Sequence, residues 1–485
     1  MSILSIDAGT TGVTVLVVND VGNITSRGYS EFEQHFPKPG WVEHEPEQIW
    51  QATLRASRQA LTSSENIQAI GITNQRETVV LWDRETLVAP RKAIVWQDRR
   101  TSDIVAELGQ HQALIQAKTG TNLDPYFTST KLIWIQRNEP DIWQGVLDGT
   151  TAIGTVDSYL VARLTNGVSH ITDASNASRT QLCNIETANW DEELLEFFNV
   201  PKSALATIVP NYGHLAETDP ESFLGIKAPI TGMAGDQQAA LFGQSAFHAG
   251  DSKCTYGTGA FLLTNTGTKR VSSSHGLITT IAWQAPNGEI TYALEGSVFV
   301  AGSAVQWLRD GLKIIKESKD VESLADQVSD SGGVVFVPAL TGLGAPWWNP
   351  DVRGTIFGIT RGTTDAHIAR ATLEAVAFQV TDLVRAMEQD LGQPINALRV
   401  DGGMSQNNLL MQLQSDSVGQ NVERGKVTET TALGAAYLAG LGAGIFANLH
   451  SLGGIWELDR KFTSEEKSTL SSDSWHKAVK ASENY

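Results

Sequence analysis

The chain has 485 residues, too many for one ordinary core and enough for two or three domains. Its 41% hydrophobic and 19% charged residues are the composition of a globular protein and exclude a largely disordered one. With 54 acidic against 36 basic side chains the formal net charge is −18, which argues against nucleic acid or an anionic membrane as partner and requires any nucleotide site to be a local exception.

The first predicted element is a strand from Ile3 to Ile6, entered without a basic leader, so a cytoplasmic protein lacking a signal peptide is expected. Asp7-Ala-Gly-Thr-Thr-Gly12 and a second apolar run, Val13 to Val18, follow, and a turn at Asn19 to Gly22 leads to a third strand, Ile24 to Tyr29. Backbone N–H groups and the Thr10 and Thr11 hydroxyls at this tip can cradle phosphate oxygens while Asp7 holds a hydrated metal ion. An ordinary hairpin turn reads the same residues equally well.

Pro46 opens a helix with Ile49, Trp50, Leu54 and Leu61 at helical spacing. Two strands then end in polar groups: Ile67 to Thr73 runs into Asn74-Gln-Arg-Glu-Thr78, and Ile94 to Trp96 into Gln97-Asp-Arg-Arg100. Adjacent Arg76 and Glu77 offer the donors and acceptor that a polyol needs, or form a surface ion pair. Trp96 is an apolar wall for a ligand or simply core. Tyr126, in the turn Asp124-Pro-Tyr-Phe127, adds a hydroxyl. Thr155 to Thr165 predicts a helix, Asp173 to Thr180 a polar loop and Pro210 to Ile226 a connection punctuated by Pro and Gly.

Ile230 and the small residues after it predict a buried strand end, Gly235 a tight turn and Asp236 to Gln244 a helix. At that junction the Asp236 carboxylate either caps the helix or faces a cleft and takes the proton of a substrate hydroxyl. The second half opens like the first. A strand from Lys253 to Tyr256, a turn Gly257-Thr-Gly259 and a return from Phe261 to Thr264 point to a duplicated domain gripping phosphate from both sides, or to coincidence. Phe299 to Ile315 predicts an amphipathic helix with Gly302 and Gln306 on one face, and 366–391 a long core helix. Ala397 to Val400 reads as a strand and Asp401-Gly-Gly403 as a sharp turn where a flat base or ribose can approach backbone, with Asn407 one turn into the next helix.

Gly434, Gly440, Gly442 and Gly444 lack the spacing of a dinucleotide loop and predict close helix packing, with 431–449 a buried helix rather than a membrane span. Thr463 to Ser474 predicts a mobile surface segment before a last short helix. The only cysteines, Cys183 and Cys254, form no Cys-x-x-Cys pair and imply neither a disulfide framework nor a zinc cluster, so a reducing compartment is expected. No P-loop, protein-kinase, His-Glu-x-x-His or Gly-x-Ser-x-Gly motif occurs, so any phosphoryl chemistry uses another fold.

Five blocks in order, Pro37-Lys-Pro-Gly-Trp-Val-Glu-His44, Gly71-Ile-Thr-Asn-Gln-Arg-Glu-Thr78, Asp173-Ala-Ser-Asn-Ala-Ser-Arg-Thr180, Gly235-Asp-Gln-Gln-Ala-Ala-Leu-Phe-Gly243 and Tyr292-Ala-Leu-Glu-Gly296, together resemble the FGGY carbohydrate kinases. The resemblance runs from Ile6 to about Leu441. It implies an α/β fold of two actin-like (ribonuclease-H-like) domains, 1–245 for glycerol and phosphate and 246–485 for the nucleotide, with an interdomain cleft. It implies phosphoryl transfer from ATP to glycerol with Mg2+, in a homodimer or homotetramer with no nucleic acid and no membrane insertion. By the same resemblance Arg76, Glu77, Tyr126, Asp236 and Gln237 hold glycerol, Trp96 and Phe261 lie against its carbon face, and Asp236 is the base. Thr10, Thr11, Gly12 and Thr258 would meet phosphates, and Gly302, Gln306, Gly403 and Asn407 would place the nucleoside. Mg2+ would bridge phosphate oxygens beside Asp236 and near Asp7, there largely through water.

This chain departs from the family pattern in three places. Thr14 stands where the first phosphate loop usually carries an arginine, so weaker nucleotide binding or faster ADP release is expected. Glu186 stands where some relatives have a phosphorylated histidine, and Gly225-Ile-Lys227 where some bind fructose 1,6-bisphosphate with arginine, so neither control is expected. Two alternatives stay open: an FGGY kinase for another polyol or a pentulose, and a non-enzymatic nucleotide-dependent sensor or filament subunit of the same fold.

Overall fold

Ser2–Ala8 (β1) and Gly12–Asn19 (β2) bury nearly every side chain, the pattern of strands covered on both faces. The computed structural model, which describes residues 1–61, 66–349, 351–464 and 472–484, places them inside a six-stranded sheet. Its other strands are Ile24–Glu31 (β3), Ile67–Asn74 (β4), Tyr212–Glu217 (β5) and Pro229–Gly235 (β6), in the order β5-β6-β4-β1-β2-β3. β1, β4 and β6 run parallel, while β2, β3 and the edge strand β5 each run antiparallel to their inner neighbour.

Ser252–Tyr256 (β7) begins a second sheet, with Ala260–Gly267 (β8), Ile278–Gln284 (β9), Ile290–Val298 (β10), Leu398–Asp401 (β11), Val422–Gly425 (β12) and Leu458–Phe462 (β13). Its order is β9-β10-β8-β7-β11-β12-β13. Again an antiparallel hairpin is followed by parallel strands, here β7, β11 and β12, and closed by an antiparallel edge. The second sheet therefore repeats the first with one strand added, and the two Gly/Thr tips, Gly9 to Thr11 and Gly257 to Gly259, fall at the same place in each.

Pro46–Ala60 (α1) carries the chain from β3 to β4, with Pro at its start, where the missing N–H leaves no bond unmade, and with Ile49, Trp50 and Leu54 buried. Two further helices join the sheets. Asp236–Gly243 (α2) leaves the end of β6 and packs on the second sheet, while Thr430–Gly442, which follows β12, packs on the first. The two cross backbone to backbone. A Cβ on Gly434 would fall on the Ala239 carbonyl oxygen, and one on Gly243 on that of Thr430. Gly434→Ala is expected to cost about 1–3 kcal/mol, the scale of overpacking, and to lower the urea midpoint of unfolding without changing secondary structure. An unchanged midpoint would mean that these helices can move apart freely.

Gly440 and Gly442 also meet neighbours too close for a side chain, but Gly444, at φ 72°, has open space and belongs to the turn after the helix. Other differences from the sequence reading have local causes. Pro210 to Ile226 contains the strand β5, and Asp173 to Thr180 contains a helical turn, Ala174–Ala177, capped by the Asp173 carboxylate. The helix expected over Phe299 to Ile315 is only Gly302–Asp310 (α3). Its start is tied down by Ala301 and Ser303 N–H groups donating to the Thr258 carbonyl, and its end by Lys313 in the left-handed region. The long core helix is Asp365–Leu391 (α4). Asn407 is not one turn into the helix Asn408–Val418 (α5) but its cap, because Gly403–Gln406 form a separate tight turn. Of the surface segment expected at Thr463 to Ser474, residues 465–471 lie outside the described ones; a last helix, Ser472–Ser482, follows. Both cysteines are buried and unpaired, and burial pushes their thiols up.

Candidate active site

Parallel strands leave their carboxyl ends on one side of a sheet, and there the loops that follow them collect. In the first sheet β1, β4 and β6 end at Ala8, Asn74 and Gly235, so the tip Gly9 to Thr11, the pair Arg76-Glu77 and Asp236 meet although the sequence separates them widely.

Arg76 is buried, with two N–H groups on the two oxygens of Glu295 at 2.6 and 2.8 Å, Nη1 also 3.2 Å from Gln238 Oε1, and Nε 3.0 Å from Asp236 Oδ1. Arg179, fully buried, donates from Nε to Glu77 Oε1 at 2.6 Å and from Nη2 to Glu295 Oε1 at 3.1 Å. Glu77, Arg179, Glu295, Arg76 and Asp236 thus form one connected line of alternating charge. Bidentate pairing of this kind suits a planar guanidinium buried beside a carboxylate. Burial alone would raise the Glu295 carboxyl; Arg179 and Arg76 outweigh it and hold its pKa at about 2. For Glu77 burial prevails and raises the pKa, with Arg179 and Arg76 pulling the other way. Arg76 and Glu77 are therefore no surface ion pair: their own charged groups stand 3.9 Å apart, both buried, and each has another partner. Glu77 has φ 62°, a strained conformation for a side chain with a Cβ, held by Thr128 Oγ1 donating to its carbonyl as well as by Arg179.

Asp236 is the open end of that line, 27% exposed, where the other members are 2% or less. It is the first residue of α2, after Gly235; its Oδ1 accepts from the Gln237 N–H at 2.7 Å and stands 3.0 Å from Arg76 Nε as an ion pair. Among the described residues none donates to Oδ2.

An aromatic wall stands beside these groups. The Trp96 ring lies edge to face with Tyr126 at 5.6 Å and with Phe261, on β8, at 6.2 Å, each half-buried. Trp96 Nε1 donates to Thr10 Oγ1 at 3.0 Å, which ties the wall to the β1–β2 tip. Burial, with Glu77 adding to it, raises the Tyr126 phenol well above its usual range, so it is a neutral donor. The Tyr126 turn is pinned from below: the buried Lys131 ammonium donates to the carbonyls of Pro125, Tyr126 and Phe127 at 2.9, 2.6 and 3.0 Å.

Asp7, at the end of β1, has its pKa raised well above the usual range by burial, then by the charges of Asp236 and Glu429. Thr14 lies directly opposite Asp7 in the β1–β2 ladder and brings no cation to offset them. A divalent cation there would offset this concentration of acidic groups. Among the described residues no group of three or more His, Cys, Asp or Glu suited to a metal occurs.

In the second sheet three glycine-bearing turns meet. Gly302 N donates to the Gly257 carbonyl at 3.0 Å, a Cβ on Gly302 would stand 2.5 Å from that oxygen, and one on Gly402, at φ 84°, would stand 2.5 Å from the Tyr256 oxygen. Gly403 borders open space, Gln306 is exposed, and Asn407 has Oδ1 engaged by Leu410 N, which leaves its amide N–H groups for a ligand. Thr258 is at the tip of the hairpin whose strand β8 carries Phe261, so this cluster adjoins the first through that hairpin. Thr11 is exposed at the opposite tip, and Gly9 N donates to the Gly12 carbonyl to close it.

Arg179, Glu295, Lys131 and Lys253 were not among the sequence candidates. Arg179 and Glu295 lie inside two of the five blocks, the one signal available; their partners are 102 to 219 residues away.

Residues 2–243 match the model for the FGGY family of carbohydrate kinases, N-terminal domain, and residues 252–443 the C-terminal domain of the same family. The chain is 53% identical over 466 residues to a glycerol kinase of Bdellovibrio bacteriovorus, covering 95% of this chain and 94% of that protein. It is 50% identical over 488 residues to a glycerol kinase of a Geobacillus species, covering 99% and 98%. Among solved structures it is similar to the Plasmodium falciparum glycerol kinase with ADP, at a TM-score of 0.92 and 40% identity over 99% of this chain and 98% of that one. The repeated sheets accordingly have the two-domain, actin-like α/β fold of these kinases. From its sequence blocks, its duplicated sheet topology and these matches, the chain belongs to the FGGY family of carbohydrate kinases.

Proposed function

We propose that this protein transfers the terminal phosphoryl group of ATP to a terminal hydroxyl of glycerol, giving sn-glycerol 3-phosphate, the activity named for its 53% and 50% identical relatives. The observation that carries the reading is the Asp236 carboxylate, the exposed end of a buried charge line, with Oδ1 held and Oδ2 open. An alcohol is a poor nucleophile and the transition state of phosphoryl transfer is loose and highly charged, so positioning and electrostatics supply most of the acceleration. Arg76 and Glu77 bind neighbouring hydroxyls, Trp96, Phe261 and Tyr126 cover the carbon side, and Asp236 orients the reacting hydroxyl and takes its proton late.

In this reading residues 1–245 bring the glycerol and phosphate contacts through Thr10, Thr11 and Gly12. Residues 246–485 bring the nucleoside contacts through Gly302, Gln306, Gly403 and Asn407, with Thr258 on phosphate. Mg2+ would be held by Asp7 through water and by Asp236, where it neutralises phosphate charge. Closure of the two lobes excludes the water that would otherwise take the phosphoryl group. A cytoplasmic homodimer or homotetramer is part of the proposal, on the family resemblance. No helix among the described residues is long and apolar enough to cross a membrane.

A coupled assay of ADP release from ATP and Mg2+, with glycerol and a panel of other polyols and pentuloses, tests this. Glycerol should give the highest kcat/KM. A pentulose preferred over glycerol would move the substrate, and nucleotide binding without acceptor-dependent ADP release would replace the enzyme with a sensor.

A further inference from the structure

Lys253 lies on β7, the first strand of the second sheet, is fully buried, and among the described residues has no carboxylate in hydrogen-bonding contact. Its Nζ is 2.5 Å from Gln237 Oε1, 3.0 Å from Thr255 Oγ1 and 3.5 Å from the Phe261 carbonyl oxygen. Gln237 and Phe261 are both assigned above to the glycerol pocket. An ammonium carries three donors and no lone pair, so whatever it touches must accept. A glutamine side chain by itself has no such polarity, since a half-turn about its last bond exchanges carbonyl for amide nitrogen at almost no steric change. Lys253 removes that freedom. With Oε1 taken, the amide nitrogen of Gln237 points away from Lys253, and it finds no acceptor among the described residues.

Gln237 directly follows Asp236 at the start of α2, so consecutive residues differ in role: Asp236 can only accept and Gln237, held this way, can only donate. We propose that Lys253 is a positioning residue that fixes the Gln237 amide as a hydrogen-bond donor to a glycerol hydroxyl oxygen, and so makes this corner of the pocket specific for a group that has both a proton to give and a lone pair to offer. The inference rests on the glycerol kinase reading above. It concerns ground-state recognition, so its signature is in KM for glycerol and not in the phosphoryl transfer step.

The test compares Lys253→Met, Gln237→Leu, Gln237→Glu and the double variant Lys253→Met/Gln237→Leu in the intact enzyme. Lys253→Met should raise KM for glycerol about tenfold, the loss of one well-aimed hydrogen bond, while kcat and KM for ATP change less than threefold. In the Gln237→Leu background the same lysine change should alter KM for glycerol less than twofold, because no amide is left to orient. Gln237→Glu keeps a partner for Lys253 but presents only acceptors, and should raise KM at least as far as Gln237→Leu.

An unchanged glycerol KM in Lys253→Met, or a parallel fall in kcat and loss of ATP affinity, would overturn the proposal, as would a further tenfold rise on adding it to Gln237→Leu. Should Lys253→Met not fold, Gln237→Glu decides alone, and a KM near that of the parent defeats the idea. Failure of the glycerol reading itself shows earlier and separately, as a parent enzyme with no glycerol-dependent ADP release.

Discussion

Asp236→Asn should keep its fold and lose turnover by about 100-fold or more, the scale of removing a general base. The substitution changes little else. Asparagine has the size of aspartate, its Oδ1 can go on accepting from the Gln237 N–H beside Arg76, and Arg76 keeps both its bonds to Glu295. With that oxygen occupied, the amide nitrogen replaces Oδ2, so in the proposed role the group set to meet the substrate hydroxyl turns from acceptor to donor and can neither orient the O–H nor take its proton. Since Asp236 is 27% exposed, the cost to stability should be small, and thermal unfolding of parent and variant should nearly coincide. Stopped-time assays of ADP and glycerol phosphate give kcat, and equilibrium binding of ATP shows whether the nucleotide site survives. Turnover close to the parent's would refute the role given to Asp236.

That role was half legible in the chain. The strand end, the turn and the helix around Asp236 follow from local composition, but whether its carboxylate caps the helix or faces a cleft is set by what approaches from elsewhere. The cap position belongs to Gly235, and the carboxylate turns to Arg76, 160 residues earlier. Arg76 and Glu77 were likewise readable as a polar pair at a strand end. Their burial was not, because Arg179 and Glu295 supply the compensating charges across 102 and 219 residues.

The same division runs through the fold. β1, β2, α1 and the long helix α4 carry apolar runs or helical periodicity of their own and were read correctly from it. β5 was not, since Tyr212 to Glu217 has little apolar alternation and a Gly213 at φ 130°; it is a strand because the edge of β6 offers it hydrogen bonds. The limits of α3 depend on the Gly257 and Thr258 carbonyls that receive its first N–H groups, and those belong to another loop. Lys253 gave no signal beyond the start of a strand.

Glu295→Gln should destabilise the protein at neutral pH by about 3–5 kcal/mol, the cost of removing one partner from a buried charge cluster. Glu295 accepts three charge-assisted bonds from two guanidinium groups, and after its loss Arg76 and Arg179 share Glu77 and the partly exposed Asp236. The pH dependence fixes the sign. A carboxyl held at about 2 in the folded state, against an unfolded value near the usual one, contributes stability that is complete above about pH 4.5 and is lost as pH falls toward 2. By that linkage the contribution at neutral pH is about 3 kcal/mol, in line with the mutational estimate.

Asp7, raised by burial and by Asp236 and Glu429, acts in the opposite sense and cancels in the difference, whereas Glu77, raised by burial and in part by the Glu295 charge, loses that push in the variant and offsets a little of the loss. Urea unfolding at pH 7 should separate parent and variant clearly, and the gap should narrow by pH 3. Coincident midpoints at pH 7 would show that the two arginines do not depend on Glu295. Both arginines come from the half of the chain before β6 and Glu295 from β10 of the second sheet, so the lost bonds are bonds between lobes. On the role proposed for Arg76, the variant's KM for glycerol should rise along with its instability, because the guanidinium that loses Glu295 is the one assigned to the substrate and paired with Asp236.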